Sequence, residues 1–233
     1  MSRRPEELHR TRLVKYDDAR WNQLENLRER AFDVMSNLHS SGIESYVYGS
    51  VARGDVSPSS DIDIVIPYPV SSFKVELAIG KGTHREAVQA TPSSVLKGHI
   101  YLRENTVVTF PLFKMLSRER DFYKWGGMVD TAKLDENVRV AGVDKRLLLI
   151  EPIDTGHRES GVIGHEHEVA KKLEVSVEIA KERVRVLTRR SNVGRTGVYL
   201  TRPLAMDESF EEVLKELRDK DPAIRRTIEN RLD

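Results

Sequence analysis

Apolar residues recur at spacings of three and four from about Asp17 onward, at Trp21, Leu24, Leu27, Ala31, Val34, Met35 and Leu38, with charged residues between them. That period predicts an amphipathic helix, capped by Asp17 or Asp18 and stopped near Gly42. Residues 1–16 read as a loose arm or a short leading strand. Residues 45–48 and 62–66 are β-rich runs, the second closed by Pro67 and Pro69, and 51–54 between them reads as about one helical turn. Residues 73–88 have helical spacing broken at Gly80-Lys81-Gly82. Residues 99–102 and 106–110 form a β-hairpin around Arg103-Glu104-Asn105, 112–125 a helix, and 147–150 the last strand of a first domain.

After Gly156 the pattern changes. Residues 168–173 predict a short helix, 174–176 a turn, and 177–190 a longer helix whose apolar stripe is Ile179, Val184 and Leu187. A Gly-bearing stretch at 192–197 then leads to a short strand at 198–200, the outline of a winged helix-turn-helix. Residues 209–231 read as one or two amphipathic helices. The expectation is an α+β protein with a small mixed sheet flanked by helices at 1–155, followed by a winged helix-turn-helix-like domain at 156–233.

Composition narrows the chemistry. The 233 residues are 39% hydrophobic and 32% charged, enough to build a core and too ordered in pattern for disorder or collagen. With no cysteine, disulfides, thiolate nucleophiles and Cys-based zinc sites are excluded, so any metal is held by oxygen or imidazole. No run of about 18 apolar residues occurs, and the opening residues lack the apolar stretch of a secretory signal. A cytoplasmic protein with no membrane partner is expected.

The net charge of +1 conceals a local excess. Seven basic residues face one acid between Lys181 and Arg202, a local balance of +6. Lys181, Arg185 and Arg189 are spaced by four and share one helix face; with Arg190 and Arg195 they are candidate contacts to double-stranded nucleic acid.

The most informative stretch is Tyr48-Gly49-Ser50-Val51-Ala52-Arg53-Gly54 followed by Ser60-Asp61-Ile62-Asp63-Ile64-Val65. Asp61 and Asp63 are two apart in a strand, so both carboxylates project from one face and suit a hard divalent ion, Mg²⁺ or Mn²⁺. Gly49-Ser50 stands where strand turns to helix, so backbone amides, a hydroxyl and the helix dipole can face an anion. Arg53 flanks the same turn. A metal site beside an anion cradle suits a metal-bound polyphosphate.

In combination these motifs resemble the signature of the DNA polymerase beta-like nucleotidyltransferase superfamily, in particular the small nucleotidyltransferases of archaea and bacteria, over about residues 17–115. The resemblance implies that Gly49 and Ser50 hold the triphosphate of an NTP such as ATP, and that Asp61 and Asp63 bind the catalytic metals. It also implies transfer of a nucleoside monophosphate to an acceptor with release of pyrophosphate. One departure stands out. The family's third carboxylate, on a later strand, falls here on Thr109, and a hydroxyl is neither a strong base nor an anionic ligand. Glu104 and Glu151 are the candidate substitutes. A nucleic-acid-binding regulator with a degenerate, NTP-sensing or inactive nucleotidyltransferase domain is the alternative, and a C-terminal module serving homodimerisation is compatible with both.

Three weaker constellations carry less. Gly80-Lys81-Gly82-Thr83 lacks the spacing of a phosphate loop and reads as a surface turn. His165-Glu166-His167-Glu168 lacks the i, i+4 histidines of a zinc helix, and Phe122, Tyr123 and Trp125 read as core.

Overall fold

The structure is a computed structural model that describes residues 4–194 and 197–231. Its first half runs β1 (Arg12–Lys15), α1 (Asp18–Ser40), β2 (Tyr46–Tyr48), α2 (Ser50–Arg53), β3 (Ile62–Val65), α3 (Ser72–Ile79), β4 (His84–Gln89), β5 (Lys97–Tyr101), β6 (Thr106–Pro111) and α4 (Ser117–Trp125). There follow β7 (Met128–Asp130), α5 (Thr131–Asp135), β8 (Gly142–Val143), β9 (Leu148–Ile153), β10 (Gly156–Gly161), α6 (Glu166–Lys172), α7 (Val177–Val193), β11 (Leu200–Pro203), α8 (Phe210–Lys220) and α9 (Pro222–Glu229). The chain divides into two compact units, each built from three separated segments. Described residues within Met1–Phe32, Val47–Ser60 and Arg120–Thr196 form the first, and those within Asp33–Tyr46, Asp61–Glu119 and Gly197–Asp233 the second.

The first unit holds a four-stranded sheet ordered β1-β10-β9-β8. β10 is Gly-His-Arg-Glu-Ser-Gly and offers no large apolar side chain, yet it pairs antiparallel with both β1 and β9. Its inward positions are the buried His157 and Glu159, which are paired rather than apolar. α6 and α7 rest on a core of Trp125, Val143, Leu147, Leu149, Val162 and Val169, against which Val184 and Leu187 of α7 are partly buried. Ser176 caps α7, its hydroxyl accepting from the Ile179 amide at 3.4 Å.

The division expected after residue 155 falls in the turn between β9 and β10, so strands on its two sides share one sheet. Residues 156–194 lie in the first unit and 197–231 in the second. The helix pair of the expected helix-turn-helix is present as α6 and α7. Its wing differs: β11, the strand expected to return as a hairpin, pairs antiparallel with β4 and completes the sheet of the second unit. β4 otherwise has an unpaired edge, and main-chain donors and acceptors favour a partner strand there.

The second unit contains the strands β11-β4-β5-β6-β3, with β3 and β6 parallel and the other neighbours antiparallel. Ile62 and Ile64 of β3, Val108 and Phe110 of β6, Ile100 of β5 and Ala87 of β4 are buried on one face. Phe210 of α8 packs edge-on to Phe110 at 5.0 Å between ring centroids. Gly98 lies under this contact, where a Cβ would come within 2.7 Å of the Phe110 ring, so a side chain there would push the aromatic pair apart. At the C-terminal end Arg231 is clamped by Glu119 through two hydrogen bonds of 2.6 and 3.0 Å. The helical spacing read over 73–88 holds only to Ile79; residues 84–89 are a strand. Among the described residues no helix is long and apolar enough to cross a membrane.

Candidate active site

Gly49 leaves β2 with φ 81° and ψ −143°, a conformation that only glycine adopts without strain. Its amide donates to the Gly127 carbonyl at 2.9 Å, and the space where a Cβ would stand is open. α2 begins at Ser50 with no side-chain cap, so its first amides are left for another acceptor. With four residues, α2 is too short to sum much of a dipole, and its offer to an anion is amides and a hydroxyl. The Ser50 hydroxyl donates to Ser60 Oγ at 3.3 Å, and Ser60 Oγ accepts from the Ser57 amide at 2.9 Å. The two halves of the motif are thus tied across ten residues of chain.

Arg53 does not face outward from this turn. It is 5% exposed; its Nε and Nη2 grip both oxygens of Asp55 at 2.9 and 3.0 Å, while Nη1 donates to the Gly126 carbonyl at 2.5 Å. A fork-to-fork pair of this kind fixes geometry as well as adding energy. All three guanidinium nitrogens of Arg53 are thus engaged by Asp55 and Gly126 in this structure.

In the second unit Asp61 is exposed just before β3, and Asp63 is half-buried within it. Register places a row of polar side chains on the same face as Asp63. Val107 lies opposite Asp63 and Thr109 opposite Val65, Tyr101 pairs with Val107 and His99 with Thr109, and Glu86 pairs with His99. The face behind them is apolar and this one is half-open. Tyr101 donates its hydroxyl to Glu86 Oε1 at 2.5 Å, His84 Nε2 lies 3.6 Å from Glu86 Oε2, and Thr109 Oγ1 lies 3.0 Å from His99 Nδ1. Burial, the bond to Glu86 and the charges of Glu86 and Asp63 all push the Tyr101 phenol above its usual pKa. Burial, helped by Lys97, pulls His99 down to about 4, so its ring is neutral at physiological pH. Glu86, His99 and Tyr101 escape a motif search. Their signal is a polar period of two, His84/Glu86 and Lys97/His99/Tyr101, matching that of Asp61/Asp63.

Of the two candidate third acids, Glu104 lies in the exposed β5–β6 turn, where Asn105 O accepts at 3.0 Å from the amide of Ile62, the residue after Asp61. Glu151 belongs to the first unit and is engaged by Arg158 and Lys172. Among the described residues no three acidic or imidazole groups stand together as a metal cage. Two carboxylates one pleat apart do fit Mg²⁺, which is commonly held by one or two carboxylates with the remaining oxygens supplied by substrate phosphates and water.

The other candidates fall as follows. Lys181, Arg185, Arg189 and Arg190 are exposed on α7, and Arg195 lies outside the described residues. His165 pairs with Glu168 at 2.8 Å on the surface. Tyr123 and Trp125 are core, Tyr123 edge-on to Tyr48 at 4.8 Å. Lys81 closes its turn by donating to Met206 O at 3.0 Å.

Residues 28–125 match the family model of the nucleotidyltransferase domain. The matched span includes the Gly-Ser turn, both aspartates and the strands of the half-open face. It supports the nucleotidyltransferase superfamily for this part of the chain, and the mixed arrangement of sheets and helices fits such a fold. No curated protein and no solved structure matches the chain.

Proposed function

We propose that this protein transfers a nucleoside monophosphate from an NTP to an acceptor hydroxyl. The acceptor oxygen bonds to the α-phosphorus, the bond to the β,γ-diphosphate breaks, pyrophosphate leaves and the acceptor proton passes to water. The observation that carries the reading is Asp63, with Asp61 one pleat away, on a polar half-open sheet face within the matched span. The amides of the Gly49-Ser50 turn and the Ser50 hydroxyl hold the outer phosphates. Asp61 and Asp63 would hold Mg²⁺ or Mn²⁺. A metal bound there neutralises charge as pyrophosphate departs.

Glu86 has a different part. Three strand spacings of about 4.8 Å separate β4 from β3, so it is too far to share a metal with Asp63. Tyr101, held neutral with its one proton donated to Glu86, offers its phenol oxygen to accept from the acceptor hydroxyl, and its role is positioning.

Calorimetry with Mg·ATP tests the reading. Asp61→Asn combined with Asp63→Asn is expected to abolish the metal dependence of binding, and unchanged Mg·ATP affinity would remove both residues from the site. Incubation with each labelled NTP, Mg²⁺ or Mn²⁺ and a cell extract identifies the acceptor. A second reading, a regulator that binds double-stranded nucleic acid through α7 and retains the fold as an NTP sensor, is favoured by Thr109, whose hydroxyl is bonded to His99 where the family pattern has an acid.

A further inference from the structure

Within the first unit, β1, β10, the first turn of α1, Asp55 and Arg146 line a half-open pocket of about 250 Å³. That is just below the roughly 300–1,000 Å³ of sites for drug-sized ligands, so its occupant is small. Its walls carry Arg12, Arg20, Arg146, Asp55, His157 and Glu159. Three guanidiniums face two carboxylates, and the carboxylates are already committed. Both oxygens of Asp55 accept from Arg53. Glu159 is 2% exposed; its Oε2 accepts from Arg12 at 2.5 Å and its Oε1 from Arg146 at 2.6 Å and from His157 at 3.1 Å. Tyr16 lies outside the lining and bonds His157 Nδ1 at 2.6 Å. Burial raises the Tyr16 phenol to about 12, so it keeps its proton and donates. His157 then presents its Nε2 proton to Glu159.

Arg20 is the charge left over. Its guanidinium stacks 4.1 Å from the Tyr16 ring centroid. Among the described residues no carboxylate pairs with it, and its Nε is buried without a hydrogen-bond partner. A buried donor without an acceptor costs free energy that an anion in the cavity would recover. A cation has no comparable welcome, because each carboxylate oxygen in the wall already accepts from an arginine.

We propose that this cavity is a binding site for a phosphate group, seated on the Nε–H edge of Arg20 with Arg12 at its rim. The group is either free phosphate or the phosphate of a small phosphorylated molecule. The site is separate in residues from the Gly-Ser turn and the aspartates, and it stands whether or not the chain transfers nucleotides.

The full chain is titrated with inorganic phosphate and, separately, with AMP at low ionic strength, followed by calorimetry and by the arginine Nε–H resonances in ¹H–¹⁵N spectra. Saturable binding of inorganic phosphate that shifts the Arg20 Nε–H signal supports the proposal for free phosphate. Saturation by AMP alone, with the same shift, assigns the site to a phosphorylated small molecule. Arg20→Gln is expected to weaken binding at least about tenfold, the equivalent of one charge-assisted hydrogen bond, while Asp61→Asn with Asp63→Asn leaves it unchanged. Arg20→Lys keeps the charge and checks against a folding defect; it is expected to retain part of the affinity. No saturable binding of either probe overturns the proposal. So does binding that leaves the Arg20 signal unmoved or that Arg20→Gln does not weaken.

Discussion

Thr109 Oγ1 lies 3.0 Å from Nδ1 of His99 across the β5–β6 pair, a neutral hydrogen bond between two side chains on the face that carries Asp63. A carboxylate at that distance would favour an imidazolium. With a hydroxyl there, burial and Lys97 dominate, and His99 stays neutral to about pH 4. The hydroxyl at Thr109 thus leaves the His99 ring neutral where a carboxylate would favour its charged form.

This relationship has a measurable pH signature. Unfolded, His99 titrates near 6.5; folded, it titrates near 4. Between these values only the unfolded chain binds the proton, so stability is full above pH 6.5 and falls as pH drops toward 4. The loss by pH 4.5 is expected to be about 2–3 kcal/mol. Urea denaturation of wild type and His99→Gln at pH 7 and pH 4.5 checks this. An equal acid loss in the variant would assign the effect to other groups.

Gly49→Ala is expected to destabilise the chain by about 1–3 kcal/mol although the added methyl meets no atom within 4 Å. The cost comes from φ 81° alone. Thermal melts of the two proteins measure it, and an unchanged melting temperature would mean that the turn relaxes freely to another conformation.

Arg53 and Asp55 are expected to couple. Each single alanine variant leaves the other charge buried without its partner and should cost about 3–5 kcal/mol, with the double variant costing well under the sum. Arg53→Lys should recover little, since an ammonium cannot grip both oxygens. Its Mg·ATP affinity, measured at a temperature where it is folded, is expected to stay within about twofold of wild type. A large loss of affinity would put the guanidinium on the triphosphate after all.

Four exposed cations on α7 set the expected salt dependence of duplex binding. If Lys181, Arg185, Arg189 and Arg190 each neutralise one phosphate, log K against log salt has a slope near −3.6, from about −0.9 per contact. Arg185→Gln with Arg189→Gln should bring it to about −1.8. Band-shift titrations decide the matter: no binding at about 50 mM salt, or a slope unmoved by the variants, would make α7 a packing element.

What the sequence concealed has a common physical origin. α1 and β3 are legible because their buried positions are apolar, Leu24 and Leu27 in one, Ile62 and Ile64 in the other. β4 and β10 bury polar side chains instead. Arg85 is 4% exposed and is satisfied by Glu76 and by the carbonyls of Ala205, Met206 and Glu208; Gln89 is fully buried and donates to the carbonyls of Pro92 and Ser94. In β10 His157 and Glu159 occupy the inward positions. Hydrophobic alternation is silent where ion pairs and carbonyls do the satisfying. Arg53 is similar: its pairing with Asp55 depends on burial that local sequence does not encode.

The segmental make-up of the second unit bears on how the protein is synthesised. The span matching the nucleotidyltransferase domain ends at residue 125, yet β11, α8 and α9, which close the β4 edge and place Phe210 on Phe110 and Arg231 on Glu119, come from 197–231. During translation the sheet bearing Asp63 must wait, edge open and one face bare, while more than seventy intervening residues are made. A fragment cut to the matched span would remain in that state permanently, prone to strand-to-strand aggregation. Expression trials that keep residue 231 should yield monodisperse protein where trials ending near 125 yield inclusion bodies.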